Sequence, residues 1–170
     1  VKFMDFLKMN NVPTHSIGQI MANPDKSKNL QTATTKALGF ELDFVGLRKE
    51  EYSEGSRIPI ITEASAEEDA LRRDLRCNAL FYNICSSQVE DFTGGIKDIH
   101  DKLIQTPLEA VKTFSDDPLR MLRAIRFSLK LDFELSNEVI DALNNSQLVQ
   151  RLQIVSRGRF QQEVIKCFEV

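Results

Sequence analysis

In the run Asp116-Asp117-Pro118-Leu119-Arg120, a carboxylate at Asp117 and a guanidinium at Arg120 fall one helical turn apart on one face. A carboxylate accepts from an exocyclic amine, and a guanidinium donates to a ring nitrogen. Cytosine and adenine present that donor beside that acceptor, whereas uracil and guanine reverse the order. Such a pair would select C and A by edge chemistry alone. Arg123 and Arg126 continue at three-residue intervals and suit phosphates or acceptor-stem RNA. The same residues also read as an N-cap with intrahelical pairing.

A second group is Glu68-Asp69-Ala70-Leu71-Arg72-Arg73-Asp74-Leu75-Arg76-Cys77-Asn78. On a helix Asp69 precedes Arg72 and Arg73 by three and four residues, so it can orient both guanidinium groups. Guanidinium groups so fixed could grip a triphosphate, and Asp74 and Asn78, four apart on one face, could reach ribose hydroxyls. A salt-bridged surface helix is the competing reading. The third group is Asp43 within Phe40-Glu41-Leu42-Asp43-Phe44-Val45. A strand carboxylate suits Mg2+, which prefers hard oxygen donors, and it also suits plain solvation.

The elements that must hold these groups follow from periodicity. Val1 to Asn11 reads as an amphipathic helix ended by Asn10, Asn11 and Pro13. His15 to Met21 reads as a short strand, and Asn23 to Lys28 as a polar loop. Gln31 to Leu38 and Phe40 to Leu47 form a hairpin about Gly39, with Phe40, Leu42 and Phe44 on one side and Glu41, Asp43 and Val45 on the wet one. Arg48 to Ser65 is charged and irregular, which predicts a mobile loop. Ala66 to Ile84 reads as mostly helical, with Ala70, Leu71, Leu75, Ala79 and Leu80 as its apolar stripe. Short strands are expected at Gln88 to Phe92 and Leu103 to Thr106, flanking a turn at Thr93-Gly94-Gly95 and a short helix from Ile96 to Lys102. Beyond Pro107 helix follows helix: Asp117-Pro118 starts one that runs to about Leu131, and Ser136 and Ser156 cap two more. The fold class is α+β, with a small α/β part over residues 1–106 and an all-helical part over 107–170.

Composition narrows the classes. The formal net charge of −3 and the 28% of charged residues are ordinary, and a local basic groove matters more than the total for a nucleic-acid partner. The three cysteines, Cys77, Cys85 and Cys167, form no C-x-x-C pair, so buried small hydrophobes in a reducing compartment are expected rather than disulfides or zinc. His15 and His100 lie in no ligating pattern. No apolar run reaches the ~18 residues a transmembrane helix needs, and no secretory signal precedes the first helix. The chain begins at Val1 rather than Met, which reads as a fragment or processed product.

In their succession these groups resemble the class II CCA-adding enzymes, above all the eukaryotic ones, within the DNA polymerase beta-like nucleotidyltransferase superfamily. Arg72-Arg73-Asp74 with Asn78-Ala79-Leu80-Phe81-Tyr82-Asn83 resembles the ribose-recognising motif. Val89-Glu90-Asp91-Phe92-Thr93-Gly94-Gly95 is similar to the segment linking head to neck. Asp116-Asp117-Pro118-Leu119-Arg120 with Leu122-Arg123 and Ile125-Arg126-Phe127 resembles the amino-acid template, and Ser156-Arg157-Gly158-Arg159-Phe160 falls where a further neck helix begins. The similarity runs from about Asn23 to Lys166.

The resemblance implies addition of C, C and A to tRNA 3′ ends from CTP and ATP, with two Mg2+ ions. It implies a catalytic, metal-ligating place for Asp43. Nucleotide contacts would come from Arg72, Arg73, Asp74, Asn78, Asp117, Arg120 and Arg123, and phosphate or RNA contacts from Arg126, Arg157 and Arg159. The family's Gly-rich loop and Asp-x-Asp strand are not found between Val1 and Asn29, so another chain or segment would supply them, and the isolated chain would transfer weakly or not at all. Arg76 and Cys77 replace the usual Thr and aliphatic residue, and Gly158 stands where Glu is common. A non-catalytic RNA-binding or assembly module and a poly(A)-adding relative are the alternatives. The expected setting is intracellular, in cytoplasm, nucleus or mitochondrion, with no membrane partner.

Overall fold

The structure, a computed structural model, describes residues 2–12, 18–20, 32–51 and 60–169. The chain divides into two compact units, 1–47 and 48–170. The expected polar loop from Asn23 to Lys28 and most of the expected strand from His15 lie outside the described residues.

In the first unit helix α1 (Lys2–Met9) accompanies an antiparallel sheet of β1 (Gly18–Ile20), β2 (Thr32–Ala37) and β3 (Phe40–Val45), in that order. Leu7 and Ala37 are buried together, with Val12 and Leu42 packed against them. The β2–β3 hairpin closes on Leu38 and Gly39, both at positive φ (53° and 82°), the conformation whose twist suits a two-residue hairpin. Gly39 takes it freely and Leu38 does not. Of the three side chains expected to share the dry side, Leu42 packs inward while Phe40 and Phe44 remain exposed.

The expected loop from Arg48 to Ser65 contains two strands: β4 (Arg48–Glu51) pairs antiparallel with β5 (Ile60–Glu63), Arg48 opposite Glu63, while residues 52–59 lie outside the described residues. The charged sequence hides this pairing. Arg48 is fixed at its backbone by groups far along the chain: its N–H donates to Asp69 Oδ2 at 3.0 Å and its carbonyl accepts from Arg72 Nε at 2.9 Å. Next, α2 (Ala66–Leu71) starts on a full capping box, in which the Ser65 hydroxyl accepts from the Glu68 N–H and the Glu68 carboxylate accepts from the Ser65 N–H.

The expected helix to Ile84 ends instead at Leu71. Asp74 accepts from the N–H of its neighbour Leu75, a local bond that competes with helical pairing. Leu75 is extended and fully buried, and the Arg76 N–H donates to the Gln105 carbonyl instead of to the preceding turn. A 3₁₀ turn (Arg76–Asn78) follows, and β6 (Phe81–Asn83) pairs with β7 (Gln88–Glu90). Ala70, Leu75 and Ala79 are buried as the apolar stripe required, though not by one helix.

Helix α3 (Gly95–His100) begins where the Asp91 carboxylate gathers the N–H groups of Thr93, Gly94, Gly95 and Ile96. Burial works against that carboxylate, but the four donors outweigh it and hold its pKa below the ordinary value. Gly95 is required by space, since a Cβ there would lie 2.3 Å from the Arg76 carbonyl oxygen.

Strand β8 (Leu103–Ile104) pairs in parallel with β9 (Glu134–Leu135), and helices α4 (Ala110–Asp116), α5 (Leu119–Leu131), α6 (Asn137–Leu143), α7 (Ser146–Arg151) and α8 (Arg157–Phe168) complete the unit. Leu75 and Ile104, on one side of the expected 106/107 boundary, share a single core with Phe114, Met121, Ala124, Val139 and Leu148 on the other. Ser136 caps α6 through its hydroxyl as expected, Asn145 caps α7, and Ser156 precedes α8 with no side-chain capping bond. Gly158 sits in open space in the first turn of α8, which forms despite it. No helix among the described residues is long and apolar enough to cross a membrane.

The cysteines are free thiols. Cys77 packs against the core, and burial pushes its pKa up to about 11, while Cys85 is exposed, against expectation. His100 is exposed beside Asp101, and His15 lies outside the described residues.

Candidate functional site

The second unit gathers the expected arginines onto carboxylates. Asp69, 1% exposed, is the first anchor. Arg72 Nη2 lies 2.6 Å from its Oδ2, and Arg73 Nε and Nη2 lie 3.0 and 2.9 Å from its Oδ1. This is the orientation that the three- and four-residue spacing predicts. Burial opposes the Asp69 charge, and the Arg72, Arg48 and Arg73 donors outweigh it and lower its pKa. Arg73 also donates to the Asn78 carbonyl at 2.9 Å and lies 4.7 Å over the Phe81 ring, while its side chain stays 33% exposed.

The second anchor is one that sequence reasoning missed. Glu50 on β4 takes Arg48 Nε at 3.0 Å and Arg72 Nη1 at 3.3 Å on one oxygen, and Arg120 Nη2 at 3.7 Å on the other. It therefore joins β4, the end of α2 and the start of α5. Its only sequence signal was a Glu two residues after an Arg inside an extended charged run, where both side chains fall on one face of a strand.

Asp74 and Asn78 do not share a helical face, because the helix has ended by then. Asp74 is buried, with Oδ1 on the Leu75 N–H and Oδ2 accepting from Arg123 Nε at 2.6 Å. Asn78 lies in the 3₁₀ turn and offers its carbonyl to Arg73. Arg123 continues to Glu163 at 3.8 Å, and Arg126 meets the same carboxylate at 2.7 Å while lying 4.2 Å over Phe127. Arg126 is 9% exposed, with its guanidinium engaged in that ion pair. Glu163, itself 6% exposed, is a further residue that sequence reasoning passed over.

Asp117 and Arg120 stand at the head of α5. Asp117 Oδ1 accepts from the Leu119 N–H at 3.1 Å, an Asx contact that starts the helix, and Oδ2 accepts from Arg159 Nη2 at 3.0 Å. The local turn and the contact with α8 are thus divided between the two oxygens of one carboxylate. Arg157 is exposed on the first turn of α8. Seven arginines (48, 72, 73, 120, 123, 126 and 159) are thus held by five carboxylates (Glu50, Asp69, Asp74, Asp117 and Glu163).

Arg76, the replacement for Thr, is built into the wall. Its N–H and Nε reach the carbonyls of Gln105 and Thr106, and Nη1 lies 4.0 Å from Asp98. Burial pushes the Asp98 carboxyl up, and its Oδ2 has no hydrogen-bond partner.

Asp43 belongs to the first unit, where it is exposed opposite Thr34, whose hydroxyl donates to Oδ1 at 2.7 Å. Among the described residues no group of three or more His, Cys, Asp or Glu could hold a metal ion. These residues do not by themselves fit a two-metal centre.

Residues 3–105, more than half of the chain, match the family described as the poly A polymerase head domain. The chain is 53% identical over 135 residues to the mitochondrial CCA tRNA nucleotidyltransferase of Saccharomyces cerevisiae, covering 79% of this chain and 25% of that relative. It is 31% identical to the solved Bacillus stearothermophilus CCA-adding enzyme in complex with CTP, over 80% of this chain and 32% of that one, with a TM-score of 0.67. A solved CCA-adding enzyme in an apo form matches 99% of this chain and 38% of its own length at 26% identity and a TM-score of 0.79. The chain thus spans about a quarter to two-fifths of these relatives. The chain belongs to the poly A polymerase head-domain family, and within it resembles the CCA-adding tRNA nucleotidyltransferases.

Proposed function

We propose that this chain is the nucleotide-selecting part of a tRNA nucleotidyltransferase that adds C, C and A to tRNA 3′ ends from CTP and ATP. The observation that carries the reading is the head of α5. There a carboxylate and a guanidinium one turn apart are each fixed by a partner from another element, Asp117 by Arg159 and Arg120 by Glu50. A site set before its ligand arrives loses little on ordering, so a small difference in base edge translates into selectivity. Asp117 Oδ2 would accept from the amine of cytosine or adenine while Arg120 donates to the ring nitrogen beside it.

Arg73, held from behind by Asp69 and still partly exposed, is the guanidinium best placed to meet the triphosphate. Arg72 is more deeply engaged and serves mainly to hold β4 against α2. The exposed Arg157 is available to an RNA phosphate. In the proposed reaction the tRNA 3′-hydroxyl attacks the α-phosphate and pyrophosphate leaves. The resemblance implies Mg2+ for that step. Asp43 would be one ligand among others that the described residues do not include. The proposed setting is intracellular, with the mitochondrion named for the yeast relative.

The test is equilibrium binding of CTP, ATP, UTP and GTP in Mg2+, beside an Asp117→Ala, Arg120→Ala variant. CTP and ATP should bind better than UTP and GTP, and the variant should lose that preference. Equal binding of all four by the unaltered protein would refute the base-reading role. Extension of tRNA by C, C and A, rather than by a long run of A, separates this reading from a poly(A)-adding relative.

A further inference from the structure

We infer that Arg159 is a displaceable stand-in for the amine of the incoming base, and so a residue that tempers how tightly C and A are bound. This inference rests on the base-reading role proposed for Asp117. Asp117 divides its carboxylate: Oδ1 is committed to the Leu119 N–H, which starts α5, and Oδ2 is the acceptor left for a ligand. Arg159 holds that oxygen at 3.0 Å. It does so from α8, which is pinned to α5 by the Glu163 contacts with Arg123 and Arg126. A base that approaches Oδ2 competes there with the guanidinium N–H.

The two ion pairs at the head of α5 differ in how easily they open. Side chains of the Arg159–Asp117 pair are 52% and 27% exposed, whereas those of the Arg120–Glu50 pair are 12% and 9% exposed. Water and salt compete for the first pair and hardly reach the second. An exposed pair of this kind shifts an equilibrium by only about two- to fivefold. The Asp117 side therefore yields to a ligand while Arg120 stays aligned. Cytosine and adenine replace one donor at Oδ2 with another, so the exchange is close to neutral. Uracil and guanine would set a carbonyl oxygen against the carboxylate, and nothing then compensates for the released guanidinium. The stand-in lowers affinity for the right bases slightly and gives the wrong ones no reason to enter.

The experiment measures binding of CTP, ATP, UTP and GTP to the intact protein as Arg159→Ala, Arg159→Lys and Asp117→Ala variants, at low and high salt, with folding checked by circular dichroism. Arg159→Ala should tighten CTP and ATP about two- to fivefold and leave UTP and GTP unchanged, whereas Arg159→Lys, which keeps a cation at Oδ2, should stay near the unaltered protein. Raising salt should narrow the difference between Arg159→Ala and the unaltered protein, since salt weakens the pair that the substitution removes. Unchanged or weaker CTP and ATP binding in Arg159→Ala, with Asp117→Ala still abolishing the base preference, would overturn the stand-in and leave the base-reading role intact. If Asp117→Ala keeps the preference, both fall together.

Discussion

Glu163 is the most consequential carboxylate that carries no expected contact with a ligand, and its removal has a calculable cost. Its side chain is 8% exposed, and it takes Arg126 at 2.7 Å, Arg123 at 3.8 Å and Lys166 at 3.6 Å. Lys166 is half exposed and contributes little. The Arg126 side chain is 11% exposed, so without Glu163 it is left as an uncompensated charge inside the protein. Breaking a buried pair at one partner costs about 3–5 kcal/mol. Glu163→Ala should lose about that much in urea unfolding followed at the helical circular dichroism band, read as a lower midpoint with the slope unchanged. Glu163→Gln, which keeps a neutral acceptor, should lose about 1.5–3 kcal/mol. Replacing both charges, as Arg126→Met with Glu163→Leu, should return stability to within about 1 kcal/mol of the starting value, because the pair is worth little against apolar packing. A loss below about 1 kcal/mol for Glu163→Ala, or failure of the double replacement to recover stability, would show that Arg126 is not held as a buried charge. The functional consequence is specific, since α8 carries Arg159 and Glu163 ties α8 to α5 through Arg123 and Arg126.

Glu50→Gln should weaken the alignment of Arg120 and reduce the preference for CTP and ATP over UTP and GTP several-fold, measured as ratios of dissociation constants; unchanged ratios would deny Glu50 a positioning role. Gly95→Ala should cost about 1–3 kcal/mol, because its Cβ meets the Arg76 carbonyl at 2.3 Å and backbone must move; thermal unfolding reads this directly, and a neutral result would mean the α3 start is pliable. Asp91 has a folded pKa held below its ordinary value of 3.8. Its stabilisation is therefore present above that value and lost as pH falls through the folded value. Asp91→Asn should lower stability at neutral pH by about 1–3 kcal/mol and flatten the acid limb below about pH 4; an unchanged acid limb would refute the assignment.

What the sequence determined by itself was everything decided within a few residues. The Asp117-Pro118 start of α5, the Gly39 hairpin and the grip of Asp69 on Arg72 and Arg73 all depend on spacings of one to four residues. Short-range partners have few alternatives, so residue type and spacing suffice to place them. The order of the motifs likewise led to the family, although it did not show how their side chains are engaged.

Only the tertiary structure decided which long-range charges meet. Arg123 reaches Asp74 across 49 residues, Arg159 reaches Asp117 across 42, and Arg126 reaches Glu163 across 37. Arg123, Arg126 and Arg159 each had several carboxylates of equal local merit, and long-range packing chose among them. The helix that periodicity extended to Ile84 stops at Leu71 for the same kind of reason. Burial of Leu75 in a core built from helices far along the chain, and the Arg76 bond to Gln105, favour an extended path that propensity alone could not reveal. Pairing of β4 with β5 was hidden by charge, because Glu50, which meets Arg48 two residues away, is also held by Arg72 at the end of α2 and by Arg120 on α5, out of reach of any local pattern.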